Sequence, residues 1–91
     1  MQVCIRLTVS GRVQGVGYRW FIHQHAMRLG LVGFVRNMRD GRVEIEVSGP
    51  AEAVEELVQQ AREGPTFSHV TNVVRDSGTS DKAYDSFEIQ I

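Results

Sequence analysis

The stretch VSGRVQGVGYRWFIHQHAMRLGLVGFVRN, residues 9–37, opens with three glycines in nine residues (Gly11, Gly15 and Gly17) and then reaches Arg19. Glycine adopts φ > 0 without a Cβ clash, so a turn built on it brings backbone N–H groups close to a ligand. From Tyr18 onward the apolar positions Tyr18, Ile22, Ala26 and Leu29 fall at four-four-three spacing, one stripe of a helix over residues 18–29, with Phe21 beside it. The glycine turn therefore feeds a helix N-terminus, where unpaired donors and a partial positive charge favour an anion. Arg19 adds a full charge and a planar fork that fits two phosphate oxygens. The local chemistry of Gly15, Val16, Gly17, Tyr18 and Arg19 is that of a phosphate cradle. Spacing alone does not require it. Glycine turns from strand to helix are common, and GRVQGVG matches neither a Walker loop nor G-x-G-x-x-G.

Upstream of the turn, Val3, Ile5, Leu7 and Val9 alternate with Cys4, Arg6 and Thr8, the period-two pattern of a strand buried on one face. Downstream, Gly30 is placed for a left-handed helix C-cap. Residues 31–38 and 42–48 read as two strands joined by a hairpin turn at Arg39, Asp40 and Gly41. In the second of them Val43, Ile45 and Val47 face inward and Glu44 and Glu46 face solvent. Pro50 is suited to the first position of a second helix, whose stripe is Ala53 or Val54, Leu57, Val58 and Ala61 and whose stop is Gly64-Pro65. Residues 69–76 form a strand with Val70, Val73 and Val74 as its apolar positions, residues 77–81 a mobile polar loop, and Phe87, Ile89 and Ile91 a short last strand. The order β-α-β-β-α-β plus a C-terminal strand is the ferredoxin-like split βαβ plan. This is an α+β sandwich with two helices on one face of an antiparallel sheet.

Ninety-one residues, 42% hydrophobic and 23% charged, suit one compact domain spanning 1–91 and exclude a disordered chain. No apolar run approaches ~18 residues and no signal-peptide pattern is present, so the reading involves no membrane. A single cysteine, Cys4, has no internal partner, which fits a reducing compartment and makes the cytoplasm the expectation. The net charge of −1 conceals an asymmetry. Residues 1–42 carry seven arginines against Asp40 alone, a net +6, while residues 43–91 carry three cations against ten carboxylates, a net −7. The positive half contains the cradle and would steer a small anion toward it. Several arginines, among them Arg6, Arg28 and Arg42, are equally well explained as solvating strand edges. A duplex binder would be basic overall, so no nucleic-acid partner is expected.

GRVQGVGYR (Gly11 to Arg19), GLVGFVRN (Gly30 to Asn37) and DGRVEIEVSGP (Asp40 to Pro50) together closely resemble the acylphosphatase family, and the resemblance runs over nearly the whole chain. It implies an enzyme that hydrolyses the carboxyl–phosphate bond of a small-molecule acyl phosphate, releasing a carboxylate and inorganic phosphate. No metal or other cofactor is implied. Residues 15–19 and Arg19 would hold the phosphate, and Asn37 would position the attacking water. From local sequence alone Asn37 would be a turn-capping residue ahead of Asp40-Gly41. Met38 departs from the pattern, since some members of the family carry a small polar residue there. A monomer is the expected state.

Other candidate chemistry is weak. His23 and His25 are two apart and point in different directions on a helix, His69 is isolated, and no Cys/His cluster has zinc spacing. Trp20 and Phe21 read as packing residues flanking the loop, and Glu52, Glu55 and Glu56 as favourable charges in the early turns of the second helix. Two further classes share the element order. A non-catalytic anion-binding module would need the loop and Arg19 but not the amide of Asn37. A single-strand RNA-binding sheet would need exposed aromatics, which residues 3–9 and 42–48 lack.

Overall fold

The computed structural model describes residues 1–78 and 84–91. It contains β1 (Gln2–Arg12), α1 (Tyr18–Arg28), β2 (Val32–Asn37), β3 (Val43–Pro50), α2 (Ala51–Glu63), β4 (His69–Ser77) and β5 (Phe87–Gln90). The strands form one sheet in the order β4-β1-β3-β2-β5. Both β1 and β2 pair antiparallel with β3, so they run parallel to each other on either side of it. Their C-terminal ends therefore lie at the same end of the sheet, and α1 carries the chain from one to the other across β3. This is the split βαβ arrangement. Its middle strand is β3, with β1 and β2 flanking it. The terminal strand β5 pairs parallel with β2, which makes the sheet mixed.

Strand alternation builds the core. Leu7 pairs with Ile45, Ile45 with Val35 and Val35 with Ile89, so the four form a row across the face that the helices cover. The next row is Val73, Val9, Val43 and Asn37. Tyr18, Ile22 and Ala26 of α1 and Val54, Leu57, Val58 and Ala61 of α2 are buried, as the helical periodicity predicts, and they close over these rows. Val70 and Val73 pack against the core, while Val74 faces outward and is exposed. No helix among the described residues is long and apolar enough to cross a membrane.

Besides the parallel β5, which makes mixed a sheet expected to be antiparallel, four details differ from the sequence reading. Pro50 is the last residue of β3 and the N-cap of α2, not its first turn; the amide that opens the helix belongs to Ala51 and donates to the Met1 carbonyl at 2.9 Å. Ser77 belongs to β4 and the Gly78 N–H donates to the Cys4 carbonyl, so the polar segment starts later than expected; residues 79–81 lie outside the described residues. Arg28 lies on α1 and pairs with Glu56 of α2, and Arg42 pairs with Asp40, so neither solvates a strand edge. Glu46, expected in solvent, retains 7% of its surface. Burial pushes its carboxyl above the usual carboxylate range, with Arg6 opposing the shift and Glu44 adding to it. Alternation told correctly that Glu46 leaves the helix side, but not what covers the other side.

Tyr18 ties the two helices together. Its hydroxyl donates to the Ala61 carbonyl at 2.8 Å, one of the last carbonyls of α2 that lack a helical partner. Burial raises the hydroxyl's pKa well above the ordinary tyrosine value, so the group remains a donor at any physiological pH. Tyr18→Phe leaves that carbonyl unpaired in the interior, and the expected loss of stability is about 1–3 kcal/mol. Urea unfolding of the two proteins measures it directly; equal midpoints at equal slopes would show that the carbonyl finds another partner.

Candidate active site

The turn between β1 and α1 has the geometry its glycines foretell. Gly15 has φ 75° and Gly17 φ 79°, both in the left-handed region, and neither would find an atom within 4 Å of an added Cβ. The glycines are therefore needed for backbone conformation and not for lack of space. Gly17 is the N-cap of α1, and no side chain caps that end. The first turn of α1 contains no acidic residue either, so its free N–H groups and dipole are left unanswered. Gly11 is not part of this turn. It lies in β1 beside a register shift against β4, where a Cβ would come within 2.1 Å of the His69 carbonyl oxygen.

Beside the turn is a cavity of about 210 Å³ lined by Val13, Gly15, Gly17, Tyr18, Arg19, Trp20, Asn37 and Ile89. Of the residues read from sequence, Gly15, Gly17, Tyr18, Arg19 and Asn37 meet there. Val16 does not line it; its side chain packs against the core. Met38 is also outside the lining. Its role at this end is carried by the backbone, whose N–H and carbonyl close the hairpin onto Arg42 and Gly41.

Arg19 is half-buried, and its Nη1 donates to the Gln90 carbonyl of β5 at 3.1 Å. That bond uses one of five donors and holds the guanidinium in place. Among the described residues Arg28, Arg36, Arg42 and Arg75 form ion pairs, whereas Arg12, Arg19 and Arg39 form none. Arg12 closes β1 and Arg39 follows β2, so all three lie toward the end of the sheet that holds the cavity. Three arginines without an ion pair among the described residues thus lie toward that end of the sheet.

Asn37 reaches the same cavity for a reason of register. It continues the inward series Gly33, Val35, Asn37 on β2, opposite the fully buried Val43. A polar side chain at a core-row position needs a partner, and its Oδ1 is buried and has none among the described residues. An orphan of this kind costs about 1–3 kcal/mol, which a bound water or ligand would recover. Asn37 does not cap the hairpin turn. Asp40 does that, accepting from the Arg42 N–H at 3.1 Å and from its Nε at 2.8 Å.

Four contributors were not read from sequence, the buried Val13 in the cavity wall among them. Gln14 Nε2 donates to the carbonyls of Met38 at 2.8 Å and Arg42 at 3.0 Å, fastening the glycine turn to the hairpin that carries Asn37. No local signal marks it, because both partners are more than twenty residues away. Ile89 enters from β5 on the same face as Phe87. Trp20, read as packing, is 60% exposed at the mouth of the cavity; its place off the Tyr18-Ile22-Ala26 stripe was a usable sign. Phe21 does pack against the core. His23 and His25 diverge, the first ring against Trp20 and Phe87 and the second against Phe21.

Fold and cavity define a small α+β sandwich with a glycine turn and an uncapped helix N-terminus at the exit of its first strand and an inward amide at the exit of its second. The description "Acylphosphatase" belongs to the family model that matches residues 5–89, and the chain belongs to the acylphosphatase family. It is an enzyme of that family, which acts on small-molecule acyl phosphates. An acylphosphatase of Rhodopseudomonas palustris is 51% identical over 76 residues, covering 84% of this chain and 77% of the relative. One of Koribacter versatilis is 45% identical over 85 residues, covering 93% and 77%. Among solved structures, the acylphosphatase of Bacillus subtilis superposes with a TM-score of 0.92 at 38% identity, covering 100% of both chains.

Proposed function

We propose that the cavity is the catalytic site for acyl phosphate hydrolysis, with the main-chain N–H groups of residues 15–19 and the guanidinium of Arg19 holding the phosphate and Asn37 orienting the attacking water. One observation carries this reading: a half-buried cation and a buried amide oxygen that, among the described residues, have no ion-pair partner and no hydrogen-bond partner respectively belong to the same cavity. An anion answers the first and a water answers the second.

The substrate bond is a mixed anhydride and is already activated. The site needs no strong nucleophile; it must orient the reactants and offer preorganised charge. Water attacks phosphorus, the bond from phosphorus to the acyl oxygen breaks, and the electron pair leaves with the carboxylate. The water's proton passes to a phosphate oxygen, since among the described residues no carboxylate or imidazole lines the cavity to accept it. Main-chain donors and Arg19 stabilise the phosphoryl oxygens as charge redistributes. Gln14 keeps the phosphate cradle and the water-orienting amide at a fixed separation.

The reading extends to a metal-independent enzyme that acts as a monomer in the cytoplasm, the last supported by the unpaired thiol of Cys4. The purified chain is expected to hydrolyse benzoyl phosphate at the same rate before and after exhaustive treatment with a chelator. Activity lost to the chelator and restored by a divalent cation would assign a different mechanism. Saturable binding of inorganic phosphate with no turnover would leave the non-catalytic anion-binding module instead.

A further inference from the structure

Two large apolar side chains flank the mouth of the cavity without being buried by the protein. Trp20, from the first turn of α1, is 60% exposed, and Ile89, from β5, is 39% exposed. Exposed apolar residues scattered singly are ordinary. These two arrive from different elements at one opening, and one of them is held. The His23 ring stacks on the Trp20 indole with centroids 5.8 Å apart and planes 21° apart. His23 in turn lies 6.2 Å from the ring of Phe87, which is fully within the core. A ladder of three rings thus runs from the interior to the surface and holds the indole at the rim.

The cavity itself is small. At about 210 Å³ it falls below the roughly 300–1,000 Å³ of pockets that enclose drug-sized ligands. A phosphoryl group seated on the cradle leaves the acyl group at the opening. There it meets Trp20 and Ile89, with no carboxylate lining the cavity among the described residues.

Resting on the catalytic reading above, we infer that Trp20 and Ile89 form an acyl-binding surface that selects substrates with a planar aromatic or extended apolar acyl group over acetyl phosphate. An aromatic acyl group lies against the indole face, and Ile89 borders its far edge. Because His23 holds the indole in place beforehand, little side-chain freedom is lost when substrate arrives.

Trp20 is the only tryptophan of the chain, so its emission reports on this surface alone. The probes are methylphosphonate and benzylphosphonate, which share a phosphate-like head and differ in the group presented to the rim. In the wild type, benzylphosphonate is expected to bind about tenfold more tightly, near the upper end of what one aromatic contact supplies. It should change Trp20 emission saturably. In kinetics, Trp20→Ala should lower the ratio of kcat/KM for benzoyl phosphate to that for acetyl phosphate by about tenfold, mainly through KM. Trp20→Phe should restore most of the ratio, and Ile89→Ser should lower it by a smaller factor. Equal affinities of the two phosphonates for the wild type, or an unchanged ratio in a folded Trp20→Ala, would overturn the inference. A wild type that binds both phosphonates but hydrolyses neither acyl phosphate would count against the catalytic reading, while the phosphonate comparison would still decide the acyl surface.

Discussion

Arg19→Ala is expected to lower kcat/KM for acyl phosphates by roughly 10²–10³, about 3 kcal/mol or more, the loss that accompanies removal of one preorganised donor to a developing oxyanion. Arg19→Lys should fail almost as badly. The guanidinium donates Nη1 to the Gln90 carbonyl and still has its other donors for phosphate oxygens. An ammonium group is a point charge that cannot hold the carbonyl and grip two oxygens as a rigid fork. Inhibition by inorganic phosphate should weaken in parallel with kcat/KM, because the same charge serves ground state and transition state. Folding should be spared, since Arg19 forms no ion pair among the described residues. Steady-state kinetics, a phosphate inhibition constant and a urea curve for each variant measure the three effects. Wild-type turnover by Arg19→Ala would mean the cradle lies elsewhere.

Asn37→Asp should be nearly inactive at pH 7. The change keeps the shape and replaces an amide that donates and accepts with a carboxylate that only accepts. Were Asn37 a substitute for a general base, a carboxylate in its place would preserve or raise the rate. Beside a phosphate carrying nearly two negative charges it does the opposite. At ~4 Å and an effective dielectric of ~20, each like-charge pair costs roughly 4 kcal/mol. Some activity should return toward pH 4 as the new carboxylate protonates, a pH profile the wild type lacks. Asn37→Ala should lose kcat yet still bind inorganic phosphate through the intact cradle. It should not lose stability, because it removes a buried oxygen that has no partner among the described residues. Wild-type activity of Asn37→Asp at pH 7 would rule out the water-orienting role.

Asn37 also shows why part of the site was legible and part was not. Residue type and spacing pointed to it only with the support of family resemblance, because a local reading made it a turn cap. In the fold its neighbours are Val43 and, one strand further, Val9, so it is a polar residue in an apolar row. Period-two counting from Val35 carries that information. Trp20 was misread for the converse reason. Hydrophobicity marks a side chain as suitable for burial, and only the fold shows that Trp20 stays 60% exposed among the described residues.

The sequence by itself determined what depends on near neighbours. Alternation assigned the inward faces of β1 and β3, helical spacing assigned the stripes of α1 and α2, and the φ demands of Gly15 and Gly17 assigned the turn between β1 and α1. These are steric and periodic constraints that act within a few residues. Tertiary structure alone decided the parallel pairing of β5 with β2, the burial of Glu46, and the long-range bonds of the site. The Gln14 bonds to Met38 and Arg42 span 24 and 28 residues, the Tyr18 bond to Ala61 spans 43, and the Arg19 bond to Gln90 spans 71. Such contacts depend on which sheet edge remains free and which strands end together. A periodic pattern names the face a side chain takes, but the partner on that face is set by how the whole chain closes.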